Sequence, residues 1–172
     1  VAAAARLRVG DPLDESTDIG PLVDRQGLEK VEAHVADALD KGAEVALGGR
    51  AGGGLYYEPT VITGVNDEMR LMHEETFGPV APLLAFESEE EVVAAANDSP
   101  YGLAGYLYTK DLARAIRVAE ALEYGIVGVN DGVPATPHAP FGGVKQSGLG
   151  REGGHQGIDE YLETKYISLG LR

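Results

Sequence analysis

The 172-residue chain contains no cysteine. That absence excludes disulfides, thiolate metal centres and thiol nucleophiles as a matter of inventory. Basic residues are also scarce: 14 Lys and Arg stand against 28 Asp and Glu, a formal net charge of −14. Phosphate binding rests on clustered Lys and Arg, so nucleic acid and anionic membranes are not expected as partners. No apolar run approaches the roughly 18 residues needed to cross a bilayer. Val1 to Arg8 hold no Met, no basic stretch followed by an apolar one and no targeting pattern, and a cytoplasmic protein is expected. What is present is ordinary for a globular chain: 44% hydrophobic and 24% charged residues, enough for one core.

Hydrophobic spacing places most elements. Ala2 to Arg8 favours helix but lacks a capping residue before it, so the chain is expected to begin within an element. After the turn-rich stretch from Gly10 to Pro21, Leu28, Val31, Val35, Ala38 and Leu39 recur at spacings of three and four and predict a helix from about Asp24 to Lys41. Ala43 to Leu47 reads as a strand, Tyr56 to Val65 as a strand pair or one bent at Pro59, and Val80 to Phe86 as a further strand. Ser88-Glu-Glu-Glu91 is a capping box opening a helix to Asn97. Leu103 to Tyr108, Asp111 to Tyr124 and Ile126 to Val129 then read as strand, helix and strand. This alternation predicts an α/β fold with a largely parallel sheet flanked by helices. A Gly/Pro loop from Asp131 to Gly150, a helix from Gly154 to Glu163 and a last strand from Lys165 to Leu169 complete the reading.

Two segments concentrate residues suited to chemistry. One is Glu74-Glu75-Thr76-Phe77-Gly78-Pro79, with two carboxylates before an aromatic and a tight turn. The other is Pro140-Phe141-Gly142-Gly143-Val144-Lys145-Gln146-Ser147-Gly148-Leu149-Gly150-Arg151-Glu152, where glycines permit close backbone approach beside an aromatic. A glycine-rich surface loop with a packed Phe is the plain alternative.

In order and spacing these two strings resemble the aldehyde dehydrogenase superfamily, over essentially the whole chain. Gly20-Pro21-Leu22, Glu58-Pro59-Thr60, Tyr101-Gly102-Leu103-Ala104, Val129-Asn130 and Gly150-Arg151-Glu152 extend the likeness. Four further stretches, beginning at His73, Gly102, Val127 and Ile158, resemble the succinate-semialdehyde type most. The resemblance implies oxidation of an aldehyde through a cysteine thiolate, hydride transfer to NAD or NADP, and hydrolysis by water that a glutamate activates. In such enzymes the nucleophile, base and dinucleotide-binding segment lie upstream of the part that this chain resembles. No catalytic residue and no metal ligand is therefore assigned here, and the chain alone is expected to be inactive.

The resemblance assigns the remaining positions. Glu75 matches the carboxylate that accepts hydrogen bonds from the nicotinamide ribose, and Phe77 the aromatic packed near the nicotinamide; a solvated loop acid and plain core packing are the alternatives. Glu74 is read as a neighbour, and Lys30 as a solvated helix charge. Phe141 matches an aromatic on the substrate side. Ala135 stands where succinate-semialdehyde enzymes carry a serine toward the distal carboxylate of the substrate, with the Thr136 hydroxyl and His138 beside it. Arg151 and Glu163 match a pair linking the glycine loop to the C-terminal helix near a subunit interface, and Glu152 an acid available for proton relay. A surface ion pair and a structural acid are the alternatives. Residues 1–163 are thus expected to be part of a catalytic domain, and 164–172 a tail strand that pairs outside it in a homo-oligomer. The expected partners are a small aldehyde and the N-terminal part of the enzyme. A different class of reading is an interaction module that pairs with such subunits without catalysis of its own. An independent nucleotide-binding protein is disfavoured, because no glycine-rich phosphate turn follows a strand and opens a helix.

Overall fold

A computed structural model describes residues 1–170. The helical stretch expected at Ala2 to Arg8 is only a 3-10 turn at Ala4–Arg6, and the helix predicted from Asp24 is α1 (Arg25–Asp40), opened by Asp24, whose carboxylate accepts from the Gly27 amide at 2.7 Å. That bond satisfies one of the amides a helix start leaves free. Leu28, Val31, Val35 and Ala38 bury one face of α1, as their spacing requires. There follow β1 (Glu44–Leu47), the hairpin of β2 (Ala51–Gly53) and β3 (Tyr56–Tyr57), β4 (Thr60–Thr63), the single turn α2 (Arg70–His73) and β5 (Val80–Pro82). β4 is central, antiparallel to β1 and parallel to β5. Tyr57, Ile62, Val65, Met69 and Leu71 join the α1 face in one buried cluster.

This core belongs to the first of two units, Val1–Ala85 and Phe86–Arg172. Length alone suggested one. The second unit contains α3 (Glu89–Asn97), β6 (Tyr101–Gly102), β7 (Ala104–Leu107), α4 (Leu112–Ala121), β8 (Ile126–Val129) and β9 (Val144–Lys145), then a 3-10 helix at Gln156–Tyr161. Ser88 caps α3 as predicted, accepting from the Glu91 amide at 3.1 Å, while Glu91 reaches back to the Glu87 amide at 2.8 Å. Asp111 caps α4 in the same way. Glu89 joins the two helices by ion pairs to Arg114 and Arg117.

Several expectations need correction. The strands form four small sheets rather than one largely parallel sheet, and of the pairings only β4 with β5 and β7 with β8 are parallel among the described residues. Parallel neighbours need a crossover of a dozen or more residues, and both parallel pairs have one, across α2 for β4 and β5 and across α4 for β7 and β8. The strand expected to Phe86 stops at Pro82, which has no amide to donate. The helix expected from Gly154 to Glu163 is the shorter 3-10 element, because Gly153 and Gly154 both take positive φ before it. Residues 165–169 make no strand pairing among the described residues. The last two residues of the expected 164–172 tail lie outside the described residues.

Candidate functional site

In the first unit, the segment after α2 lies along α1. His34, fully buried on that helix, meets Glu74 Oε2 through Nε2 at 3.1 Å and Thr76 Oγ1 through Nδ1 at 3.0 Å. One turn earlier, Val31 leaves no room at Gly78, where an added Cβ would stand 2.5 Å from Val31 Cγ2. Residues 74, 76 and 78 are therefore seated on α1. Glu75 and Phe77, between these seated residues, face solvent: Glu75 is exposed and Phe77 is 76% exposed. Phe77 has φ +51°, a conformation that costs a bulky residue on the order of 1 to 3 kcal/mol and persists only where surroundings enforce it. Among the described residues, the Glu75 carboxylate has no hydrogen bond or ion pair.

Glu74 is more than a neighbour. The Arg70 guanidinium donates to both of its oxygens, at 3.0 and 2.8 Å, and the His34 ring adds a further contact. Arg70 first, and then His34, hold this half-exposed carboxyl at about 2, well below the usual carboxylate range. It is ionised at neutral pH and can only accept. Lys30 is half-buried on α1 and joins no ion pair among the described residues.

In the second unit, the glycine motif is fixed by its polar members. Lys145, at φ +56°, donates from Nζ to the carbonyls of Asn97 at 2.7 Å and Ser99 at 3.1 Å, and pairs with Glu123 at 2.7 Å. It thereby supplies a cation to the carbonyls at the end of α3. Ser147 Oγ accepts from the Gly102 amide at 3.0 Å. Gly125 leaves the backbone space to lie against the Gly142 carbonyl, where any Cβ would collide. Arg151 Nη1 donates to the carbonyls of Gly143 at 2.7 Å, Gly150 at 2.9 Å and Leu149 at 3.3 Å. Phe141 and Glu152 exchange two backbone hydrogen bonds of 2.7 Å. A cavity of about 670 Å3 opens there, with Leu103, Phe141, Ser147, Arg151 and Glu152 in its wall.

Phe141, Arg151 and Glu152 are thus brought together, whereas Ala135 and Thr136 stand outside that wall. Ala135 is exposed, and the Thr136 hydroxyl lies 2.8 Å from His138 Nδ1 in the same loop. Arg151 and Glu163 do not pair. The arginine is already occupied by carbonyls, and Glu163 lies beyond the 3-10 helix that ends at Tyr161. Sequence reasoning missed His34 and Arg70, and it assigned no role to Lys145 and Ser147 although both lie in the motif it singled out. Of the two missed residues His34 carried a signal, a polar residue in phase with Val31 and Ala38 on the apolar face of α1. Among the described residues, no three His, Asp or Glu side chains gather where they could hold a metal ion.

The chain belongs to the aldehyde dehydrogenase family, which it matches over residues 1–167. It is 53% identical over 171 residues to the succinate-semialdehyde dehydrogenase (NADP(+)) of Escherichia coli strain K12, covering 98% of this chain and 36% of that enzyme. Identity to a 3-sulfolactaldehyde dehydrogenase of Pseudomonas putida is 54%, over 98% of this chain and 35% of that enzyme. The crystal structure of an aldehyde dehydrogenase from Brucella melitensis biovar abortus 2308 superposes with a TM-score of 0.93 at 55% identity, covering 96% of this chain and 34% of that one. The chain spans about a third of the length of the relatives it matches.

Proposed function

We propose that this chain forms part of an NAD- or NADP-dependent aldehyde dehydrogenase that oxidises a short aldehyde carrying a distal acid group, succinate semialdehyde foremost, to the carboxylic acid. The observation that carries the reading is the outward presentation of Glu75 and Phe77 from a segment seated on α1. A carboxylate with free acceptor oxygens beside an exposed aromatic ring suits a ribose diol and the flat ring attached to it. Glu75 would hold the nicotinamide ribose and Phe77 would pack near the nicotinamide, which supplies the hydride acceptor when bound. Names of similar enzymes support the substrate class, since succinate semialdehyde ends in a carboxylate and 3-sulfolactaldehyde in a sulfonate.

Phe141 forms part of the substrate wall, with Ala135 and Thr136 on the loop toward the distal acid group. Arg151 keeps the glycine loop closed, and Glu152 is the acid available for proton relay beside it. Residues 1–163 act as part of the catalytic domain. The tail from 164, with Glu163 before it, pairs with a strand outside the chain in a homo-oligomer. A cytoplasmic location completes the reading; among the described residues no helix is long and apolar enough to cross a membrane. With no cysteine, the chain depends on residues outside it for the nucleophile.

The test is turnover. The full-length protein is expected to reduce NAD or NADP with succinate semialdehyde at higher kcat/KM than with an uncharged aldehyde of similar length, and the isolated 172-residue chain to show none. Absence of turnover with every aldehyde in the full-length protein would overturn the reading, and turnover by the chain alone would overturn its dependence on an outside nucleophile.

A further inference from the structure

We propose that His34 is a positioning residue for the outward pair Glu75 and Phe77, a role that deepens, and rests on, the cofactor reading just given. His34 is fully buried in the apolar face of α1, where an aliphatic side chain would pack without needing partners. A buried imidazole must satisfy both ring nitrogens, and both partners come from one stretch 40 and 42 residues away in sequence. They flank Glu75 on either side.

The polarity of the contacts follows from Glu74. Ionised by Arg70, it accepts and cannot donate, so in the neutral imidazole the hydrogen sits on Nε2 and Nδ1 is left as acceptor for the Thr76 hydroxyl. One tautomer therefore locks two alternate residues of the segment, and Val31 against Gly78 seats the third. The residues between have only the outward direction left. Thr76 also immediately precedes Phe77, whose positive φ needs an enforced neighbour. His34 touches neither substrate nor cofactor in this scheme; it acts through 74 and 76.

The test compares His34→Leu, which keeps apolar bulk without hydrogen bonds, with His34→Gln, which keeps a donor and an acceptor. In the full-length protein, cofactor KM is expected to rise roughly tenfold in His34→Leu with aldehyde KM within about twofold, and to recover in part in His34→Gln. A packing role alone would lower the melting temperature and the active fraction and leave cofactor KM unchanged, and that result overturns the proposal. Thr76→Val removes one contact without altering α1 and is expected to give the same KM split, which keeps the test decisive if His34→Leu does not fold. If the unsubstituted protein oxidised no aldehyde, the proposed function would fall on its own, and hydrogen exchange would decide the role of His34. Faster amide exchange at 75–78 in His34→Leu or Thr76→Val, with α1 still protected, supports it; exchange equal to the parent overturns it.

Discussion

The two units treat their apolar residues in opposite ways. In Val1–Ala85, Leu28, Val31, Ile62 and Met69 are sealed in one cluster with α1 on one side and the β-strands on the other. In Phe86–Arg172, Ala115 alone is a buried hydrophobic among the described residues, while Tyr106, Leu112 and Ile116 are at least half exposed. Polar staples replace a core there: Glu89 to two arginines, Lys145 to the end of α3, and Arg151 to three carbonyls. Burial supplies most of the free energy of folding, so the first unit has a foundation of its own. The second has geometry held mainly by hydrogen bonds, each of which nets only about 0.5 to 1.5 kcal/mol.

The strongest challenge to this contrast uses the same change in both places. Ile62→Ala, at a fully buried site, is expected to cost about 2 to 5 kcal/mol in urea unfolding, and Ile116→Ala, 53% exposed on α4, about 0.5 kcal/mol or less. Equal costs would break the comparison. Gly78→Ala comes next, at about 1 to 3 kcal/mol, because Val31 must shift to admit a methyl group. Its melting temperature is the readout, and a value matching the parent would remove the seat proposed for that segment. Arg151→Ala removes the Nη1 donor that three carbonyls share. Amide exchange across 141–151 should then quicken roughly tenfold while exchange in the first unit stays unchanged.

The smallest effect is a pH dependence confined to the first unit. The Glu74 carboxyl sits at about 2 in the folded chain, below its ordinary value of 4.5. Its contribution to stability is therefore complete above 4.5 and is lost as pH falls from there toward 2. Urea midpoints of the parent and Glu74→Gln should converge over that window and differ above it. Parallel curves would show that the Arg70 and His34 contacts do not hold Glu74 ionised.

Elements governed by local signals were legible in the sequence. The α1 periodicity, the Ser88 cap and the β8 run each state their structure within a few residues, as does the break at Pro59 between β3 and β4. Pairing was less so. Alternation suggested a parallel sheet, but β4 pairs antiparallel with β1 on one side and parallel with β5 on the other, partners that no local pattern specifies. The candidate site was legible as motifs, Glu75 and Phe77 in one unit and Phe141, Arg151 and Glu152 in the other. What holds those motifs was not, because His34 meets partners about forty residues away and Lys145 reaches the end of a helix 46 to 48 residues earlier. Arg151 shows the same limit: the resemblance implied a pair with Glu163, whereas its Nη1 donates to backbone carbonyls.

Glu75→Gln in the full-length protein tests the central claim most directly, since it changes one outward carboxylate and none of the contacts that seat the segment on α1. The account predicts a cofactor KM raised about tenfold or more, with aldehyde KM and melting temperature unchanged. A cofactor KM equal to that of the parent would contradict it and return Glu75 to being a solvated loop acid.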